Sequence, residues 1–176
     1  MGVSASQPES SERAGLALEY GALRDEILKR VDVRHQITSL SLTLTGIFLG
    51  VALADGGANG AIALVYPVLA ALLAMAWSQN EDRVRTAATY VRERLEPCLP
   101  GLGWETFMES ARRARGDHSW QLSVLSHGGS FLCAQALAIG VGLLHFDGGP
   151  SDWLLLGADA LAVAYVIVVM RRAGRR

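Results

Sequence analysis

The chain has 176 residues, 51% of them hydrophobic, a formal net charge of −1 and two cysteines. A mean hydropathy of +0.26 is high for a soluble domain, and a pI near 6.4 argues against a nucleic-acid partner. Cys98 and Cys133 are too few and too separate for a zinc site or a disulfide framework, so free structural thiols are expected.

Residues 1–15, rich in Ser, Glu and Gln, read as a disordered tail. Gly2 and Ser6 match a myristoylation pattern. One Lys against fifteen Arg points to a GC-rich bacterial genome, where that modification is not expected. Residues 16–36 read as a charged cytoplasmic helix, with Tyr20, Leu23, Ile27 and Val31 at helical spacing.

The apolar residues then gather into four blocks: Ile37–Ala54, Ala61–Trp77, Leu122–Phe146 and Trp153–Met170. Each is close to the ~20 residues that cross a bilayer core of ~30 Å. The third is polar and Gly-rich at its start, and its firm core is Phe131–Phe146. No Gly or Pro interrupts Ala22–Thr45 or Val68–Glu96. Spans 1 and 2 are therefore expected to continue as an antiparallel cytoplasmic stalk, seamed by Val84, Ala88, Val91 and Leu95. A capping box at Ser78 and Glu81 is the competing signal and would start a fresh helix there. Pro67 is expected to kink span 2, and Pro97 to end the stalk at the rigid turn "PCLPGLG".

In "WETFMESARRAR", Trp104, Phe107, Met108 and Ala111 share a face, with Arg112, Arg113 and Arg115 behind it. That composition suits an amphipathic helix on the inner leaflet, and docking of the same face on the stalk suits it equally. The expected fold is all-α and membrane-embedded. It has a first transmembrane hairpin (37–77), then a cytoplasmic helix, Pro/Gly turn and interfacial helix (78–121). A second hairpin (122–170) and a basic tail (171–176) complete four spans.

All sixteen Lys and Arg fall in the N-terminal segment, in 78–121 or in the tail "RRAGRR". The short connections "DGGANG" and "DGGPSD" hold none. The positive-inside rule then places both termini and the middle segment in the cytoplasm of a bacterial cell, with the spans in its inner membrane. Trp77 and Trp120 fall at the inner edge and Trp153 at the outer, as an aromatic belt would.

The runs "YGALRDEILKRVDVRHQ", "LVYPVLAALLAMAWSQNEDR" and "YVRERLEPCLPGLGWE" resemble a group of small uncharacterised bacterial four-span membrane proteins. These share a charged helix ending in Arg and Gln, a Tyr-Pro second span ending in Trp, and a Tyr-x-Arg…Glu-Pro…Trp-Glu segment. The resemblance covers residues 19–106 and implies a membrane fold without implying an activity. More loosely, the charged helix, two spans and cytoplasmic helix are similar to two-span membrane effector modules of bacterial conflict systems. Such modules imply membrane opening on a nucleotide signal. This chain departs from them in its second hairpin and in lacking a recognisable nucleotide-binding domain.

Catalytic signatures are missing: there is no phosphate loop, HExxH, GxSxG or paired Cys ligand set, so no cofactor, metal or enzyme activity is expected. His35, His118, His127 and His145 are scattered, as interfacial polar residues would be. The notable residues lie inside the spans. Asp159 is the only charge within the four spans, and Gln135, Thr45 and Ser41 fall at depths that allow one buried polar layer with it. With no cation at that depth, its carboxyl is expected to be protonated and hydrogen-bonded. Gly46, Gly50, Gly140 and Gly157 allow close helix approach within a subunit or between subunits.

Three functions compete on these residues. The first is a non-enzymatic homo-oligomer that conducts ions or permeabilises the membrane, controlled through its stalk by a cytoplasmic protein or small-molecule signal. The second is a structural or regulatory protein whose stalk binds a partner. The third is a small proton-coupled exporter using Asp159.

Overall fold

In the computed structural model, residues 6–54, 60–115, 117–146 and 148–175 are described, with side chains over 11–54, 61–114, 129–146 and 148–172. Those residues are helical apart from short turns. The elements are α1 (Ser6–Leu53), α2 (Gly60–Ala63), α3 (Tyr66–Tyr90), α4 (Trp104–Arg115), α5 (Asp117–Leu144) and α6 (Pro150–Arg175). Three stretches among the described residues are long and apolar enough to cross a membrane: Ser11–Leu53, Ala61–Cys98 and Pro150–Arg172. A shorter apolar stretch, Gly129–Leu144, lies in the 28-residue α5. The polar start of the expected third span, through residue 128, lies outside the described side chains.

Several boundaries differ from expectation. α1 starts at Ser6, so residues 6–15 are helical rather than a disordered tail. Pro8 sits in its first turn, where a missing N–H is not needed for the helix ladder. Residues 1–5, 55–59, 116, 147 and 176 lie outside the described residues. α3 passes Ser78 without a break. The break comes earlier, at Leu64–Val65, where Leu64 and Val65 donate to the carbonyls of Ala61 and Ile62 in tight turns. Pro67 is the second residue of α3, so it helps to start a helix instead of kinking one.

α3 ends in a widened π turn, Val91–Leu95, and a short 3₁₀ turn, Glu96–Cys98. Gly101 follows with a φ of 91°, a left-handed conformation that Gly adopts without strain. Before α6, Gly148 has a φ of 76°. There the amide of Gly149 donates to Asp152 at 3.3 Å, and Pro150 opens the helix. These are the reciprocal half of a capping box and the favoured first helical residue.

The chain divides into two compact units, Met1–Val33 with Asn80–Asp117, and Arg34–Gln79 with His118–Arg176. In the first, α1 and α3 run antiparallel. Asn80 donates to the Arg30 carbonyl at 2.8 Å, and ten residues further along α3 the Tyr90 hydroxyl donates to Glu19 at 2.9 Å. Ile27, Val91 and Leu95 are buried in this unit, and Tyr20, Leu23, Val31, Val84 and Ala88 are half-buried.

In the second unit the core has two levels. One cluster joins Ala71, Ala74 and Trp77 of α3 to Phe131 of α5 and to Ala162 and Val166 of α6, with Ile37 of α1 packed on it. The other joins Tyr66 and Ala70 of α3 to Ala134 and Ala138 of α5, flanked by Leu44 and Phe48 of α1. From the first cluster to the second, numbering rises along α1 and α5 and falls along α3, so α3 is antiparallel to both. Trp77, expected at a lipid-facing edge, is only 6% exposed and belongs to the first cluster, whereas Trp153 is 62% exposed. Trp120 lies outside the described side chains.

Candidate functional site

Among the described residues of the second unit, the buried polar ones are Ser41, Thr45, Gln135 and Asp159, the four that depth along the spans singles out. They do not form one hydrogen-bonded set. Ser41 Oγ pairs with the Tyr66 hydroxyl at 2.9 Å, and that hydroxyl also lies 3.3 Å from the Ser41 carbonyl. Thr45 turns back on its own helix and donates to the Ser41 carbonyl at 2.7 Å, a common way for a helical hydroxyl to satisfy itself. Gln135 crosses from α5 to α3 and donates through Nε2 to the Pro67 carbonyl at 2.9 Å.

Asp159 is 1% exposed, and both of its carboxyl oxygens lack a hydrogen-bond partner among the described residues. Gln135 Oε1 also lacks one. A buried polar atom without a partner carries a penalty of about 1–3 kcal/mol, and more when the group is charged. The arrangement therefore contains three oxygens that the described residues do not satisfy. Tyr66 also belongs to this layer, although depth along the spans does not single it out. Its signal was the Tyr-Pro pair in an apolar run, where a hydroxyl must find a partner.

The four glycines expected at close helix contacts pack against nothing. At Gly46, Gly50, Gly140 and Gly157 an added Cβ would meet no heavy atom within 4 Å. Each faces outward because the apolar and polar core residues occupy the opposite faces of these helices. The close approach is instead at Gly142, where an added Cβ would lie 2.5 Å from Leu64 Cγ.

The first unit contains a different constellation. Glu96, brought onto the buried face by the π turn, accepts from the Glu105 amide at 2.7 Å, the Thr106 amide at 3.0 Å and the Thr106 hydroxyl at 2.6 Å. These are N–H groups that the start of α4 would otherwise leave unpaired. Burial pushes the Glu96 carboxyl upward, but the Thr106 hydroxyl, the two amides and the charge of Arg24 together hold it below its ordinary value. Arg24 in turn pairs with Glu105 at 2.8 Å. Glu109 pairs with Arg113 at 3.0 Å and Arg92 at 3.4 Å.

As a result α4 docks through its carboxylates. Glu105 is buried, whereas Trp104 is 51% and Phe107 61% exposed, their rings 6.3 Å apart. Docking of the Trp104 and Phe107 rings on α1 or α3 is therefore not observed. Arg112 and Arg113 are exposed, and the Arg115 side chain lies outside the described residues. An open groove of about 530 Å³ lies between α1 and α3 in this unit, lined by Glu19, Glu26, Arg30, Asp82, Arg83 and Tyr90 over Leu23 and Ala87. No group of three or more His, Cys, Asp or Glu that would hold a metal ion exists among the described residues. No family model, curated protein or solved structure matches the chain.

Proposed function

We propose that this chain is a non-enzymatic integral protein of the bacterial plasma membrane. It crosses four times with both termini in the cytoplasm, self-associates, and conducts ions or permeabilises the membrane under control of its cytoplasmic helices. One observation carries the reading: Asp159, buried and without a hydrogen-bond partner among the described residues, sits within a helix of membrane-spanning length. Ionisable residues at such positions are expensive and by default functional.

Further support comes from the segregation of all sixteen basic residues to one side of the proposed spans. The outward aromatic face of α4 suits the inner leaflet, with its arginines near anionic headgroups. Four spans are too thin to enclose a pore, so conduction requires association, and the outward glycines Gly46, Gly50, Gly140 and Gly157 suit close packing between copies. A second reading, regulation through a bound cytoplasmic partner or small molecule, draws on the groove beside Tyr90.

The test is ion flux through proteoliposomes, with particle size measured in parallel. Wild-type protein is expected to be oligomeric and to pass ions, and Asp159→Asn to lose flux while keeping its assembly. A strictly monomeric particle, or full flux from Asp159→Asn, would remove conduction through this carboxyl.

A further inference from the structure

Two buried side chains on α5 and α6 keep oxygens without a hydrogen-bond partner among the described residues. Asp159 Oδ1, Asp159 Oδ2 and Gln135 Oε1 are all acceptors, on side chains 1% and 0% exposed. The orientation of the Gln135 amide is fixed, because the Pro67 carbonyl can only receive its NH₂ end. Its oxygen is thereby the free end.

Helix register brings the two residues to one level. α3 and α5 are antiparallel, as their shared clusters require. α6 follows α5 within six residues, with Phe146 edge-on to Trp153 at 5.2 Å, so α6 is antiparallel to α5 and parallel to α3. Ala162 and Val166 of α6 share a cluster with Ala71 and Ala74 of α3. One turn before Ala162, on the same face, Asp159 therefore lies toward Pro67, where Gln135 is anchored.

Neighbouring donors are engaged. The Ser41 and Tyr66 hydroxyls pair with each other, and Thr45 donates to its own helix. The described part of these apolar segments contains no Lys or Arg. Among the described residues nothing is left to donate to these oxygens, so a small cation or a proton would satisfy them. A single carboxylate balances one unit of charge in a low-dielectric interior, whereas a divalent ion would leave an excess that is itself costly to bury. Carboxylate and amide oxygens are hard donors, suited to replace the water shell of an alkali cation.

We propose that Asp159 and Gln135 form an intramembrane binding site for one monovalent alkali cation of the sodium class. The inference rests on the membrane reading above and names the ion that its buried carboxyl takes. A protonated Asp159 donating to Gln135 Oε1 is the rival arrangement, which satisfies the same atoms with a proton and no metal.

The experiment uses the full chain in detergent or nanodiscs. Thermal midpoints are compared in sodium, potassium and N-methylglucamine chlorides at one pH and ionic strength. A ligand that binds only the folded state raises the midpoint in a saturable way. Sodium is expected to raise the midpoint over N-methylglucamine, Asp159→Asn to abolish the difference, and Gln135→Leu to raise the half-saturating concentration severalfold. Radioactive sodium bound by the wild-type protein, expected at one ion per chain, provides a readout that needs no variant. Equal midpoints in the three salts together with no retained sodium would overturn the proposal in favour of the protonated pair. Sodium binding without flux refutes conduction and leaves the site standing. Flux through a protein that binds no sodium does the reverse.

Discussion

Replacing Gly142 by Ala tests whether the apolar helices pack as one body around the polar layer. Leu64 is 1% exposed, and the new methyl would lie 2.5 Å from its Cγ, well inside contact distance. Leu64 is buried, so moving its side chain aside displaces its neighbours in turn. Overpacking of this kind costs about 1–3 kcal/mol. For a chain of this size each kcal/mol shifts the thermal midpoint by roughly 2–4 °C. Gly140→Ala is the internal control, since nothing lies within 4 Å of that Cβ position and Gly140 is exposed. It should be neutral or mildly stabilising, because Ala exceeds Gly in helix propensity by about 1 kcal/mol. Leu64→Ala alone opens a cavity and should cost about 2–5 kcal/mol. The two changes share one space, so the double variant should be more stable than additivity predicts, by about 1–3 kcal/mol. Thermal unfolding of the detergent-solubilised protein, read by loss of the size-exclusion peak, measures all four corners. Equal stability of Gly142→Ala and Gly140→Ala, or strict additivity with Leu64→Ala, would refute the packing of the Leu64 turn against α5.

Other consequences are equally open to measurement. Tyr66→Phe removes the 2.9 Å bond to Ser41 and should cost about 1 kcal/mol, with Ser41→Ala adding little to it in a double-mutant cycle. Glu96→Ala removes the acceptor for two amides and one hydroxyl at the start of α4 and should cost about 1–3 kcal/mol in thermal unfolding. The Glu96 carboxyl is lowered in the folded state, so its contribution is complete above the ordinary carboxylate range and lost as pH falls through the lowered value. A profile of thermal midpoint against pH should lose that acid step in Glu96→Gln. Trp104→Phe and Phe107→Ser change exposed positions and should move stability by no more than about 0.5 kcal/mol. Emission quenched by brominated anionic lipid should fall in Trp104→Phe, and unchanged quenching would separate this face from the bilayer.

The helical architecture was legible because it rests on local rules. Apolar runs without Gly or Pro gave α1 and α3 their long courses, and Pro97 and Pro150 fell at an end and a start. Burial of Ser41, Thr45, Gln135 and Asp159 followed from depth along each helix, a one-dimensional quantity. What depth cannot supply is rotation about the helix axis and the choice of partner. Gln135 therefore met a backbone carbonyl instead of Asp159, and Ser41 met Tyr66. Trp77 was misplaced for a related reason: a Trp near a span end suits either the lipid edge or a core, and packing against Phe131 decides it. The outward face of α4 was hidden because a distant carboxylate, Glu96, orients that helix through hydrogen bonds. Amphipathic pattern alone suits the inner leaflet and docking on the neighbouring helices equally.

The π turn at Val91–Leu95 has a consequence for how this chain tolerates changes in length. There the Glu96 amide reaches back five residues to the Val91 carbonyl, so Val91 and Glu96 stack with one residue more between them than an α-helix holds. Deleting any one of Arg92, Glu93 or Arg94 lets the segment rewind as ordinary α-helix with Glu96 still stacked on Val91. The same deletion one turn earlier would rotate every later residue by about a quarter turn and carry Glu96 off the α4 terminus. Natural variation by a single codon should therefore concentrate in this turn, which holds a surplus residue that the rest of the helix does not have.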